Sequence, residues 1–265
     1  MSDRIPTQSS LRGWTIIGLR ASNQQAPLRR ASRAHGAVFL SLPGLRLLPQ
    51  ADQISRANLF AALACPLCIF TSPAAVRFAR PLPNPRPAAM QVLAIGSGTA
   101  AALRRAGIRD VQIPTSLMRS EGLLALSALS PPPAQVGLVT APGGRGEIAK
   151  SLRDRGSEVC IAEVYRREPA KLTASARRRL LAVGGKVALL LSSEEALRSV
   201  FAQLGEVERQ QLQSAVVVCA SPRLCDVAHR LGFSRWLDAG STQPSAQLAA
   251  LISHCRHDVT AGGFR

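Results

Sequence analysis

Short runs of four to six apolar residues alternate along this 265-residue chain with amphipathic stretches of ten or more. The runs predict strands over 15–19, 38–42, 67–70, 92–95, 136–139, 159–164, 187–191 and 216–219. The stretches between them predict helices, among them 98–106 and 143–155. Unbroken apolar runs suit parallel strands covered on both faces, and their alternation with helices marks an α/β architecture. Proline-rich breaks at 81–87 and 131–133 read as surface loops, not as domain boundaries.

The pattern also repeats. Phe70-Thr71-Ser72-Pro73-Ala74-Ala75-Val76-Arg77 resembles Leu191-Ser192-Ser193-Glu194-Glu195-Ala196-Leu197-Arg198, and 92–108 resembles 217–233. The helices from Glu121 and from Ser245 follow in register. A strand–helix–strand unit at 15–42 resembles 135–162, each with an Arg-x-x-Gly turn (Arg33/Gly36 and Arg153/Gly156). This unit precedes one set of strands, whereas its counterpart follows the other set. Two similar doubly wound parallel-sheet lobes are therefore expected, one inserted in the other. Residues 43–167 form the inserted lobe, and 1–42 join 168–265 to form the second. The chain crosses between lobes near Pro43–Arg46 and Val164–Arg167, a natural hinge over a ligand cleft.

Composition then narrows the function. Hydrophobic residues make up 46% and charged residues 18%, which excludes a disordered or fibrous chain. No apolar run approaches the roughly 18 residues of a membrane span. The stretch from Met1 to Arg12 lacks an apolar segment and reads as a mature start. A soluble cytoplasmic protein is expected. The net charge of +17 comes from 30 Arg and only 3 Lys against 16 acidic residues. Aromatics are only 4%, and the charge is shared, +8 in 43–167 and +9 in the remainder. That distribution speaks against a nucleic-acid arm and suits a polycarboxylate or phosphate ligand gripped by guanidinium groups.

Hydroxyl residues fall at strand ends where helices begin: Thr71-Ser72, Ser97 and Thr99, Ser192-Ser193, and Ser221. Each can cap its helix, and together they offer donors to anions. Gly96-Ser97-Gly98-Thr99-Ala100-Ala101 meets the loose dinucleotide pattern, but no acid follows the next strand and no NAD(P) is expected. Gly143-Gly144-Arg145-Gly146 lacks the Lys-Ser/Thr of a P-loop and reads as a flexible anion loop. Cys65-Pro66-Leu67-Cys68 has no answering pair, so it reads as core, and His254, Cys255 and His257 read as a solvated tail. His35 and His229 sit at expected helix C-termini. Tyr165, the one tyrosine, lies at the second crossing, where it packs the hinge or meets a ligand. The residues alone support either an enzyme working by positioning or a non-catalytic binding or sensor protein for a small polyanion.

In order and spacing, these residues resemble the uroporphyrinogen-III synthase family from about Thr15 to Ser253. The resemblance rests on Phe70-Thr71-Ser72-Pro73-x-Ala75-Val76, on Ala94-Ile95-Gly96-x-Gly98-Thr99-Ala100-x-Ala102-Leu103 with Gly107, and on Ser120-Glu121-Gly122-Leu123. It is strongest in Pro142-Gly143-Gly144-Arg145, Leu152 through Arg155-Gly156, and Val164-Tyr165-Arg166-Arg167. It departs at Leu19-Arg20-Ala21, where relatives often have Thr-Arg-Pro, and at Thr140-Ala141-Pro142, where Arg-Gly is usual. The resemblance implies two α/β lobes on a two-stranded connector, an active site in the cleft and no cofactor. It implies closure of hydroxymethylbilane, a linear tetrapyrrole with eight carboxylates, to uroporphyrinogen III. Water is lost and the last ring inverts through a spiro intermediate. By position Tyr165 is the catalytic residue assisting loss of the hydroxyl. Thr71, Ser72, Gly96, Ser97, Thr99, Ser192, Ser193 and Ser221 face substrate, with Arg20 and Arg145 as carboxylate partners. A cytoplasmic monomer is expected, without nucleic acid, membrane or metal, and in transient contact with the preceding pathway enzyme.

Overall fold

Trp14–Gly18 (β1), Ala26–Ala34 (α1) and Val38–Ser41 (β2) open the computed structural model, which describes residues 11–80, 90–115, 120–143 and 146–261, with side chains through 256. Leu45–Pro49 (β3) leads to Gln53–Ala64 (α2), Leu67–Phe70 (β4), Pro73–Ala79 (α3), Gln91–Ala94 (β5), Ser97–Arg105 (α4) and Ser120–Leu124 (α5). Gln135–Thr140 (β6), Glu147–Asp154 (α6), Glu158–Glu163 (β7) and Tyr165–Pro169 (β8) follow. The chain ends through Ala174–Leu181 (α7), Lys186–Leu191 (β9), Glu194–Phe201 (α8), Glu206–Gln213 (α9), Val216–Cys219 (β10), Pro222–Arg230 (α10), Trp236–Asp238 (β11) and Pro244–Ala261 (α11). All eight expected strands are present within a residue or two of their predicted ends. The proline-rich segment 81–87, His257 and most of the first twelve residues lie outside what is described.

Two compact units result: Met1–Arg46 with Glu168–Arg265, and Leu47–Arg167. In the first, the sheet order is β11-β10-β9-β1-β2, every pair parallel. Successive residues of its strands feed opposite faces, so Ile17, Leu189 and Val217 enter one core while Ile16, Ala188 and Val218 enter another. Both faces being covered explains why Lys186–Leu191 is apolar without alternation. The second unit has the parallel order β5-β4-β6-β7, extended past β5 by a parallel bridge from Leu93 to Gln112. Ile69 and Leu138 pack on one of its faces, Phe70 and Val139 on the other.

Spatially, β6-β7 takes the place in its sheet that β1-β2 takes in the other, although it comes last in its unit's chain order. Both strand–helix–strand units close alike. Gly36 (φ +79°) and Gly156 (φ +89°) donate to Arg33 O and Arg153 O at 2.9 Å, and the next residue reaches Ser32 O or Leu152 O at 3.0 Å. These are helix ends in which only glycine enters the left-handed region without strain. The chain passes between units within β3 and β8, which pair as a two-stranded sheet. Gln50 N donates to Val164 O and Ala170 N to Gly44 O, both at 3.0 Å, so the two strands run antiparallel. Neither was expected from pattern, since Leu-Arg-Leu-Leu-Pro and Tyr-Arg-Arg-Glu-Pro carry no buried apolar run. Among the described residues, no helix is long and apolar enough to cross a membrane.

Candidate active site

In an open parallel sheet, ligands bind beyond the carboxyl ends of the strands where the winding reverses. In the second unit that point lies between β4 and β6. There Thr71 N donates to Val139 O at 3.2 Å, and Thr71 Oγ1 donates to Thr140 Oγ1 at 2.9 Å. Ser72 is the N-cap of α3: extended backbone and a proline at the next position end the strand and start the helix. Its Oγ accepts the Ala75 N–H at 3.0 Å and stands 3.2 Å from the Tyr165 hydroxyl. Either hydroxyl can donate in this pair. When Ser72 donates to Tyr165 Oη, the Tyr165 proton is left for another acceptor.

Tyr165, first in β8, is 4% exposed, and its ring stacks on Phe78 with centroids 5.3 Å apart and planes 21° off parallel. The Arg167 guanidinium carbon lies 5.8 Å from the tyrosine centroid, and Nη1 donates to Pro142 O at 3.0 Å. The grouping Ser72, Phe78, Tyr165, Arg167 thus joins the end of β4, the helix after it, the start of β8 and the loop leaving β6. Sequence reasoning missed Phe78, Thr140 and Arg167 as members of this group. The available signal was the two-residue spacing of Tyr165 and Arg167, which in a strand puts both on one face.

The other expected residues divide by environment. Gly96 is the N-cap of α4 in extended backbone, Ser97 is exposed as the first helical residue, and Thr99 is turned inward at 2% exposure. No side chain caps α4. Ser193 caps α8 by accepting the Ala196 N–H at 3.2 Å, with Ser192 half-buried beside it. Ser221 occupies the N-cap of α10 without a capping side-chain bond. The first helix of each repeated pair (α3, α8) is therefore capped by a serine side chain, whereas in the second (α4, α10) the amide of Thr99 or Leu224 donates to the N-cap carbonyl instead, Gly96 O at 3.1 Å or Ser221 O at 3.0 Å. Arg20 follows β1 and donates to Thr242 O, and no carboxylate pairs with it among the described residues. Burial pushes its pKa below the ordinary value, since lost water is not replaced by a counter-charge. Beside it the buried Gln25 amide donates to Gly18 O and Arg20 O, while its Oε1 finds no partner among the described residues. Arg145 lies outside the described residues, although Gly143 (φ +75°) and Gly146 (φ +67°) on either side adopt the left-handed turn.

Elsewhere the chemistry is structural. Cys65 and Cys68 are buried; burial and a neighbouring Cys160 push the Cys65 thiol up to about 12, and burial pushes Cys68 higher. Among the described residues no three His, Cys, Asp or Glu side chains converge on a metal position. His35 is the C-cap of α1, and His229, in the last turn of α10, packs on Trp236 at 5.0 Å.

With the geometry in view, similarity to known proteins is extensive. A family model described as uroporphyrinogen-III synthase HemD matches residues 26–246. A curated relative, the uroporphyrinogen-III synthase of Salmonella typhimurium, is 28% identical over 167 residues, 62% of this chain and 68% of that protein. The structure of uroporphyrinogen-III synthetase from Helicobacter pylori covers 91% of this chain and 99% of its own, with TM-score 0.59 at 16% identity. A mutant uroporphyrinogen III synthase from Thermus thermophilus covers 91% and 99%, with TM-score 0.53 at 17% identity. At such identities the structural likeness concerns the fold.

Proposed function

The chain belongs to the uroporphyrinogen-III synthase family, and from that premise we propose how its residues share the work of closing hydroxymethylbilane to uroporphyrinogen III. The carrying observation is the family match over 26–246, which includes the strand-end loops at 71–72, 96–99, 192–193 and 221. It favours the synthase over a non-catalytic polyanion-binding protein.

The reaction needs a proton at the departing hydroxyl and a fixed pose for a flexible octacarboxylate. Tyr165 supplies the proton: its O–H donates to the leaving oxygen while Ser72 O–H donates to Tyr165 Oη, stabilising the charge left on the phenol oxygen. Departure of water gives an azafulvenium cation. The terminal ring attacks it through its substituted carbon, the spiro intermediate fragments and recloses with that ring inverted, and the closing carbon sheds its proton, which balances the one given to the hydroxyl so that one water is lost overall. Positioning carries the rest. The starts of α4 and α10 at Gly96-Ser97 and Ser221, where no side chain caps the helix, the hydroxyls of Thr71, Thr99, Ser192 and Ser193, and the guanidinium groups of Arg20 and Arg145 serve the substrate carboxylates. Arg20, half-buried after β1 and without a carboxylate partner among the described residues, is available to one of them.

The protein is taken to act as a cytoplasmic monomer that meets the enzyme supplying hydroxymethylbilane only transiently. Supplying hydroxymethylbilane and resolving the porphyrinogen isomers tests the whole reading. Type III product is expected, and only the spontaneous type I isomer would overturn it.

A further inference from the structure

Among the described residues Arg167 has no carboxylate partner, unlike Arg46, Arg177, Arg198 and Arg223, which each pair with a glutamate. Arg167 is exposed, and among the described residues its polar and ring contacts are an aromatic face and one carbonyl: it lies over Tyr165 at 5.8 Å and holds Pro142 O at 3.0 Å. A guanidinium can do both because it is flat, with five donors in one plane; one bond to a carbonyl leaves an edge of that plane unused. Tyr165 is thereby held between Phe78 on one side and a permanent cation on another, and the same cation ties the β6–α6 loop to the ring.

Resting on the synthase reading, we propose that Arg167 is a positioning residue of the reaction. It fixes the Tyr165 ring against Phe78 and seats, on its remaining N–H groups, a carboxylate of the same pyrrole ring that loses the hydroxyl. The charge logic is consistent. A bare cation beside the tyrosine would oppose formation of an azafulvenium ion, whereas a cation neutralised by the substrate's carboxylate does not. Coupling the two contacts in one side chain makes the hydroxyl meet Tyr165 only when that carboxylate is seated.

The test compares Arg167→Gln and Arg167→Lys with wild type in type III formation from hydroxymethylbilane, using Arg104→Gln as a charge control on an exposed helix. For Arg167→Gln, kcat is expected to fall and KM to rise, with about a tenfold or greater loss in kcat/KM, the size usual for a charged contact. Lysine keeps the charge but cannot lie flat on the ring and hold the carbonyl together. Arg167→Lys should therefore recover KM to within about twofold while kcat stays low. Uroporphyrin III, a stable octacarboxylate, should bind Arg167→Gln several-fold more weakly, and Tyr165→Phe like wild type. Wild-type kcat and KM in Arg167→Gln, or full recovery of kcat by Arg167→Lys, would overturn the proposal. So would loss of the cooperative melt in both variants, which would make Arg167 a structural residue. Wild-type protein yielding only type I product fails the synthase reading itself, a result separable from all of these.

Discussion

Ser72 carries two bonds at once, one to the backbone of α3 and one to Tyr165. Substitution can separate them, because glycine serves nearly as well as serine at an N-cap. Ser72→Gly should cost only a few tenths of a kcal/mol in stability, against about 1 kcal/mol for Ser72→Ala. Its rate of type III formation should nevertheless fall, since the phenol oxygen loses its donor. Tyr165→Phe should slow the reaction by about 100-fold with an unchanged melt, the stack on Phe78 being retained. Unchanged turnover would reduce Tyr165 to packing. Sequence could single out Tyr165 and Ser72 as residue types at telling positions, 93 residues apart. It could not bring them within hydrogen-bond reach, because that contact depends on β8 starting beside the end of β4.

At the level of elements, the strands were legible because a parallel sheet covered on both faces demands unbroken apolar runs. The connector strands were implied only by the family resemblance and not by the pattern, because β3 and β8 pair only with each other and bury few side chains. The helix-on-sheet contacts were also hidden. Gly137, inside β6, faces α2 so closely that a β-carbon there would lie 1.9 Å from Ala62 O. Gly137→Ala must therefore lift α2 off the sheet, and about 2–3 kcal/mol should be lost in urea unfolding. The same change at Gly184, where a β-carbon would meet nothing within 4 Å, is the control and should stay within about 0.5 kcal/mol. Equal effects at the two sites would contradict the close approach.

For the whole molecule, each core cluster draws its residues from a single unit: one pair from the discontinuous unit, the other from 47–167. A fragment comprising 47–167 is expected to unfold cooperatively in urea by itself, with dispersed amide resonances. A fragment without a transition would show that its sheet needs the rest of the chain. The hydrophobic pattern, the repeat and the order of weak motifs determined, without coordinates, the α/β class, the two related lobes and the family. All three depend on local periodicity and chain order, which a sequence contains outright. Only the tertiary structure decided which serines are spent on capping, and that Arg167 lies over Tyr165 while holding the loop after β6. Those are contacts between segments distant in the chain, set by strand order and packing, and no residue's own neighbours in sequence encode them.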